Sequence, residues 1–463
     1  MSDLTVFLTV ITFLITILFI FWRPRGLNEA IPAMLGAIVV IMSGSITRSD
    51  LGVIVTTVGG AATTIVATFM MAIVFESFGF FQWVVDWISR KAKGSGIRLF
   101  WYINLLCFFM TLFFNNDGGI FITTPILLQL LKHVGLKPHQ KIPYLISGAL
   151  ITTAASAPIG VSNIVNLISL KIVGMSLYMY SALLFVPATL GLMLLVLLLF
   201  AYYYRELPHR LPMQYRQPIA KQPISYGLHF HHPLKSPPKL PKEESNIPLS
   251  KNKQTKWIRN LFSYVVAVRL SLFVASYFGI PVPLTAVIGS ALLLAWRWLY
   301  FKMPPVDIVK KTPWHIFLFA FGMYVIIYGL HKIGLTQFLT DFLQPFVTQS
   351  VFHAIVIMGV LVTFMSDLFN NHPALMIGTL ALTNMGLDPT SLKIAYVANV
   401  IGSDIGSLLL PIGTLATLIW MHKLNQEHVK IGWLHYIKIS FLVIPITVLF
   451  TLVCLYFWVR IIF

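Results

Sequence analysis

The sequence predicts an all-α membrane protein: two inverted repeats, about ten transmembrane helices, two re-entrant hairpins and two interrupted helices. Three observations carry this expectation. First, 57% of the 463 residues are hydrophobic and only 10% are charged, a balance that suits multiple membrane spans and no soluble domain. Second, two polar breaks sit inside apolar sequence, Phe113-Phe114-Asn115-Asn116-Asp117-Gly118-Gly119 and Asp367-Leu368-Phe369-Asn370-Asn371-His372-Pro373. Third, a stretch from Arg205 to Lys256 with ten Lys/Arg, three Glu and nine Pro divides the chain, and its composition favours an extended, solvated linker.

Taken in order, Leu4 to Trp22 is long enough to span, and its charges Arg23 and Arg25 follow the apolar run, so it reads as an uncleaved first span. Further apolar runs are Leu27 to Met42, about Gly59 to Ile88, Ile142 to Val173, Leu183 to Tyr204, Trp257 to Phe278, Pro283 to Tyr300, Trp314 to Leu330, Ile394 to Met421 and Ile437 to Trp458. The runs near 101–131 and 351–382 are broken midway and read as hairpins. Basic residues test this threading, because Lys and Arg accumulate on the cytoplasmic side. Arg23/Arg25, the cluster Arg90 to Arg98, Lys132/Lys137/Lys141, the linker, Lys302/Lys310/Lys311 and Lys423/Lys430 fall on one side if the N-terminus lies outside; Lys332, Lys393 and Arg460 fall on the other. The expected organisation is a first repeat over 1–204 with an inward-opening hairpin, a cytoplasmic linker over 205–256, and a second repeat over 257–463 with an outward-opening hairpin. Five crossings per half, an odd number, force the second half to enter the membrane with opposite orientation.

The formal net charge of +18 does not argue for nucleic acid, because the cations lie between apolar segments and no basic fold module is visible. The two cysteines, Cys107 and Cys454, lie in apolar runs and read as small buried hydrophobes, so no metal site and no cofactor is expected. An intramembrane enzyme is a distant alternative, with no HExxH and no GxSxG turn to support it. His229, His231 and His232 belong to the linker and read as incidental.

Non-helical chain at membrane depth survives only under protein or along an aqueous cavity. Paired amide-rich breaks in corresponding halves therefore point to a transporter's binding site. The interrupted spans Ser147 to Asn166 and Ala398 to Thr417 add small residues, hydroxyls and amides around Pro158 and Pro411. Candidate solute-binding residues are Asn115, Asn116, Ser162, Asn163, Asn370, Asn371, Asn399 and Ser403. Proton-coupling candidates are the acids Asp404, Asp117, Asp367 and Glu76, each costly inside a membrane, and His372, which titrates near neutrality when unperturbed. Arg269, also inside an apolar run, reads either as an acid's partner or as a scaffold contact.

Whole segments carry a family resemblance: Trp314 to Thr336 (WHIFLFAFGMYVIIYGLHKIGLT), Ala398 to His422 (ANVIGSDIGSLLLPIGTLATLIWMH), Asn115 to Pro125 (NNDGGIFITTP) and Ser162 to Ile168 (SNIVNLI). The chain resembles the arsenical pump membrane proteins, the arsenite and antimonite permeases of the ion transporter superfamily. The resemblance implies export of arsenite or antimonite across the cell membrane, by proton antiport or with a separate ATPase subunit as partner, through an elevator-type moving unit. Where many members carry an acid, this chain has Thr153; Ser403 replaces a Cys, and Ser407-Leu408 replaces a Pro-Lys pair. A sodium/proton antiporter or a small-anion carrier of the same superfamily is the alternative, and a homodimer is a further partner expectation. Arsenous acid is neutral near pH 7 and carries three hydroxyls, so amides and hydroxyls suit it, while several thiolates would hold it too firmly to release.

Overall fold

The computed structural model describes residues 2–211 and 251–463; most of the linker, with His229, His231 and His232, lies outside the described residues. Among the described residues the chain forms nineteen α-helices and no strand. The first half runs α1 (Asp3–Trp22), α2 (Ala30–Met42), α3 (Arg48–Ser77), α4 (Phe80–Lys91), α5 (Gly96–Phe114), α6 (Asn116–His133), α7 (Pro138–Ala154), α8 (Ile164–Ile172) and α9 (Leu177–Tyr203). The second half runs α10 (Lys251–Tyr277), α11 (Val282–Phe301), α12 (Val306–Lys311), α13 (His315–Lys332), α14 (Leu335–Val347), α15 (Val351–Phe369), α16 (Asn371–Thr383), α17 (Pro389–Asp404), α18 (Leu415–Gln426) and α19 (Trp433–Ile462).

Nine of these helices are long and apolar enough to cross a membrane among the described residues: α1, α3, α5, α9, α10, α11, α13, α15 and α19. Their set differs in detail from the expected spans. The run near Gly59 to Ile88 is two elements, because Thr47 caps α3 through Asp50 and Gly79, at φ +73°, ends the span before the amphipathic α4 begins. The first arms of both hairpins are 19 residues long, about 28 Å at 1.5 Å per residue, so each arm alone has the length of a crossing. By contrast α2 has only 13 residues.

From α4 onward the two halves repeat one another in local chemistry. Ser95 and Ser350 cap α5 and α15 by accepting N–H bonds from Arg98 and His353. Both helices stop at an asparagine with nearly the same positive-φ backbone, Asn115 at φ +82°, ψ 171° and Asn370 at φ +79°, ψ 151°. Pro138 and Pro389 open α7 and α17, where a missing N–H costs nothing. Pro187 and Pro445 lie within the long α9 and α19.

Close packing through small residues joins the helices. Gly322 of α13 faces the backbone of Ala33 in α2 so closely that a Cβ there would lie 2.7 Å from it, and Gly402 of α17 faces the Gly359 carbonyl of α15 at 2.3 Å by the same measure. Polar contacts meet both ends of α13: His315 Nε2 lies 3.8 Å from Glu29, and Lys332 Nζ forms an ion pair with Asp50 at 2.9 Å.

Candidate functional site

Each interrupted span breaks over a longer stretch than a proline kink requires. Helix α7 ends at Ala154, four residues before Pro158, and α8 restarts at Ile164. Helix α17 ends at Asp404 and α18 restarts at Leu415. Both breaks contain the tripeptide Pro-Ile-Gly, residues 158–160 and 411–413. Both then pass through an extended cap, Asn163 at φ −139°, ψ 131° and Thr414 at φ −136°, ψ 144°, whose side chains accept from Val165 N and Thr417 N. The repeated tripeptide was open to reading in the sequence and marks the pair better than proline alone.

Asp404, at the C-terminal end of α17, is fully buried and bonds across to the first half. Its Oδ2 accepts from Ser156 Oγ at 2.8 Å and Asn166 Nδ2 at 2.8 Å, and its Oδ1 accepts from Asn163 Nδ2 at 3.0 Å. Tyr396 of α17 adds a bond from its hydroxyl to the Asn166 carbonyl at 2.9 Å. Ser403, next to Asp404, reaches the carbonyl of Asn371 at 3.4 Å. Asp404 and its neighbour Ser403 thus join the first half's break to the tip of the second hairpin. Within this ring, Asn166 stands out in the sequence as an amide beside the break, whereas no local pattern ranks Ser156 above the other hydroxyls of the segment.

The hairpin tips dock on the breaks of their own halves. Thr111 donates to the Thr152 carbonyl at 2.6 Å, and Asn115 accepts from Gly118 N at 2.8 Å. Asp367 Oδ1 accepts from Leu410 N at 2.9 Å, and Asn370 donates to the Ile412 carbonyl at 3.5 Å. His372 is buried beside Asn370 Oδ1 at 3.3 Å, with its ring edge-on to Phe319. Asn115 and Asn116 make no hydrogen bond to the Asp404 ring among the described residues. Glu76 lies in the last turn of α3 and is partly exposed, away from a span's middle by position. Asp117 occupies the first turn of α6, and its side chain lies outside the described residues.

Several buried polar atoms near the breaks have no protein partner among the described residues: Asn115 Nδ2, Asn116 Oδ1, Ser162 Oγ, and both amide atoms of Asn371 and Asn399. Orphaned polar atoms cost about 1–3 kcal/mol each when buried, so their clustering at helix breaks marks groups reserved for something other than the fold. The set offers oxygen and nitrogen donors and acceptors at the two hairpin tips and along the broken spans; Cys107 and Cys454, both free thiols, lie apart on α5 and α19.

Apolar helices in this number, with two broken spans and two amide-tipped hairpins, define a multi-pass membrane transporter. Residues 16–402 match the family model described as a citrate transporter, CitMHS. A protein of Bacillus subtilis (strain 168) carrying the name "Putative arsenical pump membrane protein" is 57% identical over 449 residues, covering 97% of this chain and 99% of that one. An Escherichia coli arsenical pump membrane protein is 30% identical over 438 residues, covering 95% of each. The chain belongs to the arsenical pump membrane protein family.

Proposed function

We propose that this chain exports arsenite or antimonite in exchange for protons, by an elevator-type movement of the hairpins and broken spans against the remaining helices. The observation that carries the reading is the Asp404 ring. All three side-chain partners in it donate, which suits an ionised carboxylate. Protonation removes the negative charge that makes these bonds charge-assisted, so the junction across the two halves weakens. Proton binding would thus loosen the junction that movement has to break. The reading of the relatives' names as arsenical pumps supports the substrate, and the uncharged amides and hydroxyls suit a neutral metalloid hydroxide.

Contacts between distant helix ends support two halves of opposite orientation in the membrane. Tyr178 N bonds to Ser276 Oγ, Trp458 Nε1 to the Ala182 carbonyl, and Lys332 pairs with Asp50, all on the face opposite the linker in the expected threading. Gly96 N bonds to the Pro208 carbonyl and Arg23 pairs with Glu29 on the linker face. Each hairpin also returns to its start: Gln129 of α6 meets Gln82 of α4, and Thr340 of α14 meets the Ala381 carbonyl of α16.

The test is arsenite uptake into everted vesicles with and without an imposed proton gradient. Uptake should follow the gradient, and Asp404→Asn should lower it about a hundred-fold and flatten its pH dependence, since losing a transition-critical group costs several kcal/mol. Uptake no greater than in vesicles lacking the protein would sink the proposal. The match to a citrate transporter model favours a second reading, a small-anion carrier. Citrate or sodium taken up in place of arsenite in the same vesicles would establish that alternative.

A further inference from the structure

We propose that Arg269 is a positioning residue for the first hairpin tip, acting from a helix of the other half. Arg269 lies on α10 and is 5% exposed. Its Nε, at 3.2 Å, and its Nη2 both donate to the carbonyl of Phe113, two residues before the Asn115 break. Two turns earlier on α10, Phe262 packs edge-on against the ring of Phe113 at 5.1 Å. One face of α10 therefore grips both the backbone and the side chain of a single residue in the last turn of α5.

The grip answers a physical need. Helix α5 stops abruptly at Asn115, so its final carbonyls lose their helical N–H partners and gather partial negative charge. A guanidinium supplies two donors and a positive charge at that end. The second tip is built differently, with an acid, Asp367, holding the backbone N–H of Leu410. Among the described residues Arg269 pairs with no carboxylate, and its Nη1 is buried without a partner. A buried intramembrane cation is expensive and reads as functional. Its effect reaches the solute through Asn115 and Asn116, whose placement depends on where α5 ends.

This inference rests on the transport reading for its kinetic test and stands apart from it in a second one. In reconstituted vesicles, Arg269→Gln should raise the arsenite concentration for half-maximal uptake about ten-fold with turnover within about two-fold, the sign of lost binding alone. Arg269→Lys keeps the charge without the fork and should fall between. Hydrogen exchange of the purified protein should show the segment 113–119 exchanging about ten-fold faster in Arg269→Gln, with 367–373 unchanged. Unaltered half-saturation together with unaltered exchange overturns the proposal, as does a loss of turnover at constant half-saturation. If the wild type carries no arsenite, the transport reading fails and exchange alone decides Arg269. If Arg269→Gln does not fold, Arg269→Lys decides, and wild-type behaviour in it overturns the proposal.

Discussion

At the scale of single residues, the two hairpin tips turn on asparagine doing two tasks at once. Among the described residues, Asn115 and Asn370 are two of six non-glycine residues with positive φ, and at ψ 171° and 151° they occupy a region essentially reserved for glycine, at a cost of about 1–3 kcal/mol. Each also caps the following helix, through Gly118 N and His372 N. Alanine would keep the strained backbone and lose the cap, whereas glycine would lose the cap and relieve the strain. Asn115→Ala should therefore destabilise by about 1 kcal/mol and Asn115→Gly by less. Thermal unfolding of the purified variants checks the order, and an alanine variant more stable than the glycine one would contradict it.

Elements meet here through places where nothing larger than a hydrogen fits. A Cβ on Gly413 would lie 1.9 Å from the Ser407 carbonyl and 2.7 Å from Asp367 Oδ1. Gly413→Ala should push the second break open, costing about 2 kcal/mol or more by overpacking and abolishing uptake. Gly432→Ala, with nothing within 4 Å of its added carbon, should leave uptake intact and serves as the control. The short α12 is held to α11 by Arg297, whose guanidinium bonds both oxygens of Asp307 at 2.9 and 2.7 Å. Burial raises the Asp307 carboxyl, but the Arg297 bonds and charge outweigh it and hold the group below the usual carboxylate range. A depressed folded value stabilises above the ordinary, unfolded value of about 3.9. That contribution fades as pH falls through the lower folded value. Unfolding midpoints of wild type and Asp307→Asn should thus differ at neutral pH and converge in acid, and a gap that widens in acid would reverse the sign.

For the whole molecule, the expected threading makes a topological prediction. Reporters placed after residue 93 and within the linker should report one side of the membrane, and a reporter after residue 348 the other; all three on one side would refute the threading. Much of this was legible beforehand, because hydropathy has to match the bilayer and a polar break in apolar chain has to be covered. The breaks at Asn115 and Asn370 and the two broken spans announce themselves this way. The shortness of α2 and the separate amphipathic α4 and α14 were missed, since a glycine in left-handed conformation inside or beside an apolar run looks like any other glycine. Sequence by itself determined the class, the order of elements and the segments that must break, all of them consequences of local composition against a solvent that cannot hydrogen-bond. Only the tertiary structure decided that Asp404 faces Ser156, Asn163 and Asn166, and that Arg269 reaches Phe113, because residues more than 150 positions apart meet through helix register and packing, which no local pattern encodes.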